Sequence, residues 1–276
     1  MEFKTINIMA KEKLEIVSLE ENKLQYKGKE FVIPQGWEEL TYNYLFAWVE
    51  AIRLAIEPNE FLQFILIHAL EIKDDLKKTL LKLSKRDRTS LLAELYKASE
   101  NLLFLLDENR LCFKGDWKFK GMSCPATMLA EFTAIEFILA TNYFKSFSES
   151  GKIEDLNKLC SVLLRAHQRG KRKDFSESEE HYSLVKSKEI DLQDKLIICK
   201  AFEGEFLALT KIYPEIFCSQ ENQAEGFPYD MITNLAGDKF GTIKEVEKTN
   251  IHILFQYIIN QKKEFDRQKA QSNELE

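Results

Sequence analysis

Histidines and carboxylates at ligand spacing are where metal or acid–base chemistry would first show, and the chain offers four histidines to test. A di-iron helical bundle needs Glu-x-x-His on its helices, and no such pair occurs. His68 precedes Glu71 in the reverse order, and Glu177 stands four residues before His181. His167 and His252 have no cysteine or second histidine at ligand distance. No metal site and no cofactor is expected. A nucleophile is conceivable at Cys124: Pro125 suits the first turn of a helix, and exposed amides there would lower the pKa of a capping thiol. No histidine lies near it in sequence to serve as base, so a plain helix cap is the simpler reading. Glu131 and Glu136, placed on one helix, would point about 140° apart, which suits separate pairing to Lys or Arg rather than a carboxylate dyad. The catalytic residue set is therefore empty.

Phosphate chemistry fares no better. GxxxxGK[ST], GxGxxG and GxSxG are all missing. One basic run, Arg165, His167, Arg169, Lys171, Arg172 and Lys173, could hold an anion or an acidic partner surface. The acidic stretch after it, Asp174 to Asp194, could equally neutralise it internally. No aromatics alternate with these cations for base stacking, and the formal net charge is -6, so nucleic acid is not an expected partner.

The elements that would carry these residues read as mainly α: a multi-helix globular body with a small N-terminal antiparallel β meander. Ten Gly and five Pro among 276 residues are few for a β sandwich, while 45% hydrophobic residues suffice for a large core. Residues 1–36 carry short β-branched and aromatic runs broken by Asn and by Lys27-Gly28, which predict the meander, packed on the body. Residues 37–266 are expected to form one helical domain with strand confined mainly to the first 36 residues, and 267–276 a flexible tail. The period predicts helices over about 41–56, 59–83, 87–109, 125–148, 153–165, 190–213, 228–236 and 242–266. In the second of these Phe61, Phe64, Ile65, His68, Ile72, Leu76 and Leu80 fall on one side. Residues 111–124 suggest a hairpin or ordered loop, and the polar stretch 166–188 an exposed, mobile connection. In the last helix Ile251, Phe255 and Ile259 extend the apolar stripe beyond one packed face, which predicts either a protein-binding side or a helix wedged between two neighbours in the core. Five widely spaced cysteines without a CxxC pair predict reduced thiols, and with no signal region or membrane span in view the expected location is cytoplasmic.

Several stretches in order resemble a known group: WEELTYNYLFAWVEAI, ENLLFLLDENRLCF, CPATMLAEFTAIEFILATNYF, the GKRKDF loop and NLAGDKFGTIKEVEKTNIHILFQYI. They are similar to mostly helical proteins encoded in the tail-assembly gene region of phage-like elements. The matching positions are Leu235, Ala236, Phe240, Gly241 and Val246, with Thr133 or Ala134, Arg172 and Phe175 more loosely. The resemblance implies a non-enzymatic assembly or interaction protein, a tail-assembly chaperone or tail-associated factor, whose partner is a tail component or itself. The competing expectation is an accessory enzyme or nucleic-acid-binding factor centred on Cys124 or the basic run 165–173. An exposed apolar groove would favour the first reading, and a pocket of converging polar groups the second.

Overall fold

A computed structural model describes residues 22–27, 29–107, 109–113, 117–168, 171–217, 230–237 and 240–273. The chain is mainly helical, and its contacts divide it into two compact units, Met1–Glu108 and Asn109–Glu276. The division falls inside the expected 37–266 span.

The first unit opens with the antiparallel hairpin β1 (Lys23–Tyr26) and β2 (Lys29–Val32), paired Lys23 to Val32 through Tyr26 to Lys29. The preceding run KLEIVSL lies outside the described residues. Then come α1 (Tyr42–Arg53), α2 (Pro58–Ala69), α3 (Lys73–Lys82), α4 (Lys85–Ser99) and a 3-10 segment, Glu100–Leu106. Trp37 packs edge-on against Trp48 and Phe104, at centroid distances of 5.1 and 5.7 Å, within a core that includes Leu45, Ile65, Leu66, Leu95 and Leu102. The hairpin is tied to α3 by Tyr26 donating to Thr79 (3.3 Å) and by Lys27 pairing with Asp75 (2.9 Å).

The expected helix 59–83 is two helices. Proline starts α2 at its first position, as the missing N–H allows, and the chain breaks at Glu71, which adopts a left-handed φ of +57°. There the Leu70 and Glu71 amides still reach back to Leu66 and His68 carbonyls, closing α2 before α3 sets off in a new direction. Asn43 on α1 donates to the Glu71 carboxylate at 3.1 Å and holds the turn.

The second unit contains β3 (Lys118–Phe119), β4 (Met122–Ser123), α5 (Met128–Glu131), α6 (Ala134–Ser150), α7 (Ile153–Leu163), β5 (Arg165–Gln168), β6 (Lys171–Arg172), α8 (Glu177–Ser187), α9 (Leu192–Ile212), α10 (Pro214–Phe217), α11 (Asp230–Leu235), α12 (Ile243–Lys248) and α13 (Ile251–Asn273). Strands β3 to β6 form a small antiparallel sheet in that order, so strand is not confined to the first 36 residues. Its first pair is the hairpin foreseen within 111–124. An aromatic cluster of Phe137, Phe202, Phe206, Tyr213, Phe217 and Phe255 fills the core, with Phe137 edge-on to Phe255 at 5.5 Å. On α9, a Cβ added at Gly204 would overlap the Leu111 carbonyl, so glycine lets the segment before β3 lie directly on the helix.

Three further expectations are corrected. The helix placed at 125–148 is interrupted at Phe132–Thr133, where Thr133 and Glu136 form a capping box and start α6 afresh. The described residues of the stretch 166–188 are folded: after β5 and β6, α8 lies on α7 through the small buried Ser183 and Ser187, with Ser187 donating to the Asn157 carbonyl at 3.1 Å. Serines on the packed face left no apolar period to detect. The last helix is also two, broken at Thr249–Asn250, and α13 continues to Asn273, into the expected tail.

Candidate functional site

The break at Glu71 makes an open apolar groove in the first unit. Had residues 59–83 been one helix, Leu76 and Leu80 would lie about 80–160° round the axis from Phe64 and His68; the break brings the two pairs face to face. Phe64, Ile67 and His68 from α2 then face Leu76, Leu80 and Leu81 from α3 across a groove of about 380 Å³. Its lining is almost wholly apolar side-chain surface, and Leu81 on its lip is 71% exposed.

The His68 ring lies stacked on Phe64 with centroids 3.9 Å apart. Burial first, and the Lys73 charge second, lower its pKa, so the imidazole is neutral at pH 7 and the floor carries no charge. The rim is cationic. Lys73 and Lys77 stand one turn apart on α3, both exposed, and among the described residues neither makes an ion pair. Arg88, at the start of α4, donates to the Leu83 carbonyl (3.0 Å) and the Leu81 carbonyl (3.4 Å), so it closes the end of α3 while adding charge to the same rim. The surrounding segment, residues 73–88, carries seven basic against three acidic side chains in a protein of net charge -6. That imbalance was legible in the sequence and escaped notice beside the denser run at 165–173.

The described members of the basic run, Arg165, Arg172 and Lys173, do not form an open anion site. Arg165 is 0% exposed and Glu136 2%. The Arg165 guanidinium donates to the Ser161 and Leu164 carbonyls and to Glu136 Oε1 (3.4 Å), and lies over the Phe175 ring at 4.7 Å. Burial lowers its pKa to about 10, which still leaves it charged at neutral pH. Arg172 reaches the same Glu136 oxygen at 3.5 Å, the Leu163 carbonyl at 3.0 Å and Glu131 at 3.9 Å. Lys173 pairs with Glu179 at 2.6 Å. The expected neutralisation by the stretch 174–194 is seen for Lys173 with Glu179, whereas Arg165 and Arg172 are paired to Glu136 and Glu131, outside that stretch. Arg169 and the Lys171 side chain lie outside the described residues, as does the side chain of His167. Because the helix breaks before α6, Glu131 and Glu136 converge on Arg172 instead of pointing apart.

Cys124 does not cap a helix. It is buried beyond the end of β4, four residues before α5, and its amide donates to the Trp117 carbonyl at 3.2 Å. Burial raises the thiol pKa far more than the nearby Arg172 charge lowers it, which disfavours the thiolate.

On α13, Ile251, Phe255 and Ile259 are buried at 0, 0 and 7% exposure. The side expected to meet a partner packs into the core, because the break at Asn250 resets the phase of the helix; Ile253 is the exposed residue there. Among the described residues no group of three His, Cys, Asp or Glu is placed to hold a metal ion, and no helix is long and apolar enough to cross a membrane. No known protein family, curated protein or solved structure matches the chain.

Proposed function

We propose that the protein is a non-enzymatic assembly or interaction protein of a phage-like particle, a tail-assembly chaperone or tail-associated factor acting in the cytoplasm, and that it engages its partner through the groove between α2 and α3. The observation that carries the interaction reading is the groove's combination of an apolar floor, an exposed leucine lip and a cationic rim. The phage-like setting rests on the sequence resemblance alone. Against the enzymatic or nucleic-acid-binding alternative stand the buried, high-pKa Cys124 and the consumption of Arg165 and Arg172 by Glu136.

In cells that produce the particle, Leu81→Asp should block tail formation as seen by electron microscopy while the variant protein accumulates normally, since Leu81 is exposed and its loss leaves no core cavity. Normal tails from that variant would refute the reading.

A further inference from the structure

The groove's own chemistry narrows what can fill it. Both walls are helical, so their backbone amides and carbonyls are spent on α2 and α3 and offer no ladder to an extended peptide. Recognition must run through side chains at three- and four-residue spacing, Phe64, Ile67 and His68 on one wall and Leu76 and Leu80 on the other. A ridge of leucine-like residues on a third helix fits that spacing, as helix ridges fit helix grooves elsewhere. Lys73 and Lys77 lie one turn apart along the rim, about 6 Å in axial rise. Two carboxylates one turn apart on the incoming helix would meet them together.

Resting on the interaction reading above, we infer that the occupant is an acidic amphipathic helix of a partner protein, its apolar side seated on Phe64, Leu76 and Leu80 and its flanking Glu or Asp side chains paired to Lys73 and Lys77. Nucleic acid would use the cations but has no use for a leucine-lined floor between two helices, and an anionic membrane, which could use both, is separated from the helix by the vesicle probe below. The charge complementarity sets the choice: residues 73–88 form a basic island on an otherwise acidic chain, and a cationic rim of this kind complements an acidic helix.

The test uses the full chain and four fluorescent probes: an alanine-based helical peptide of about 20 residues with leucines at three- and four-residue spacing flanked by glutamates; the same peptide with lysines in place of glutamates; a single-stranded oligonucleotide; and phosphatidylglycerol vesicles. Anisotropy should show the glutamate peptide binding at least about tenfold tighter than the lysine peptide. The Lys73→Glu, Lys77→Glu double variant should reverse that preference, and Leu81→Asp should weaken both peptides. The double variant is expected to fold, because both lysines are exposed and acidic residues suit the first half of a helix. Equal binding of the two peptides, no binding of either, or a preference for oligonucleotide or vesicle abolished by the double variant would each overturn the inference. The two proposals fail separately: loss of tails with Leu81→Asp but no charge preference removes only the acidic-helix partner, whereas normal tails remove the interaction reading itself.

Discussion

The two oxygens of Glu136 are committed to different partners. Oε2 accepts from the Thr133 amide (3.0 Å) and hydroxyl (2.9 Å), which closes the capping box of α6, and Oε1 meets Arg165 and Arg172. One carboxylate thus fixes where a core helix begins and neutralises two guanidinium groups, one of them fully buried. Removing one partner of such a pair strands a charge in the interior at a cost of about 3–5 kcal/mol. Arg165→Met should therefore lower the denaturation midpoint strongly, and Glu136→Ala should do at least as much because it also opens the cap. Chemical denaturation checks both; a change below about 1 kcal/mol in either would mean that water reaches the cluster. A second expectation concerns the thiols. Cys124 should resist alkylation at pH 8 until the protein is unfolded, while the exposed Cys112, whose pKa burial of its sulfur raises to about 11, should react slowly and faster as the pH is raised toward that value. Mass mapping of labelled peptides reads this directly, and rapid native labelling of Cys124 would revive it as a nucleophile.

Each helix that the periodicity ran together is broken where neither Gly nor Pro marks the place. Glu71 takes a left-handed backbone without glycine, Phe132–Thr133 interrupts one apolar segment, and Thr249–Asn250 another. The last two breaks are joined: Ile251 donates to the Phe132 carbonyl and Ala134 to the Thr249 carbonyl, both at 2.9 Å, so the starts of α6 and α13 hold each other. Thr133 with Glu136 three residues on was a readable start signal, whereas the pairing across more than a hundred residues was not. Helical class and the N-terminal hairpin were legible because long periods and β-branched runs survive such interruptions. The groove was not, since it exists only once the chain turns at Glu71 and brings Phe64 opposite Leu76. The same phase change moves Phe255 from a supposed binding face into the aromatic core. Phe255→Ser should consequently cost about 3–5 kcal/mol in thermal or denaturant unfolding. A near-neutral result would mean that α13 detaches and exposes this side after all.

At the scale of the whole molecule, the chain is acidic overall, and one groove of the first unit joins an apolar lip to the cations Lys73, Lys77 and Arg88. An interface built this way combines steering by charge with burial of leucine and phenylalanine, so partner binding should weaken as salt screens the rim over about 10 Å but persist through the apolar part. The most direct measurement is site-specific photocrosslinking in particle-producing cells, with a photoreactive residue placed at Leu81 on the groove lip or at the also exposed Ile253 on α13. The account predicts an adduct between position 81 and a tail component, identified by mass spectrometry, and none from position 253. Absence of that adduct at 81, or equal adducts at both positions, would contradict it.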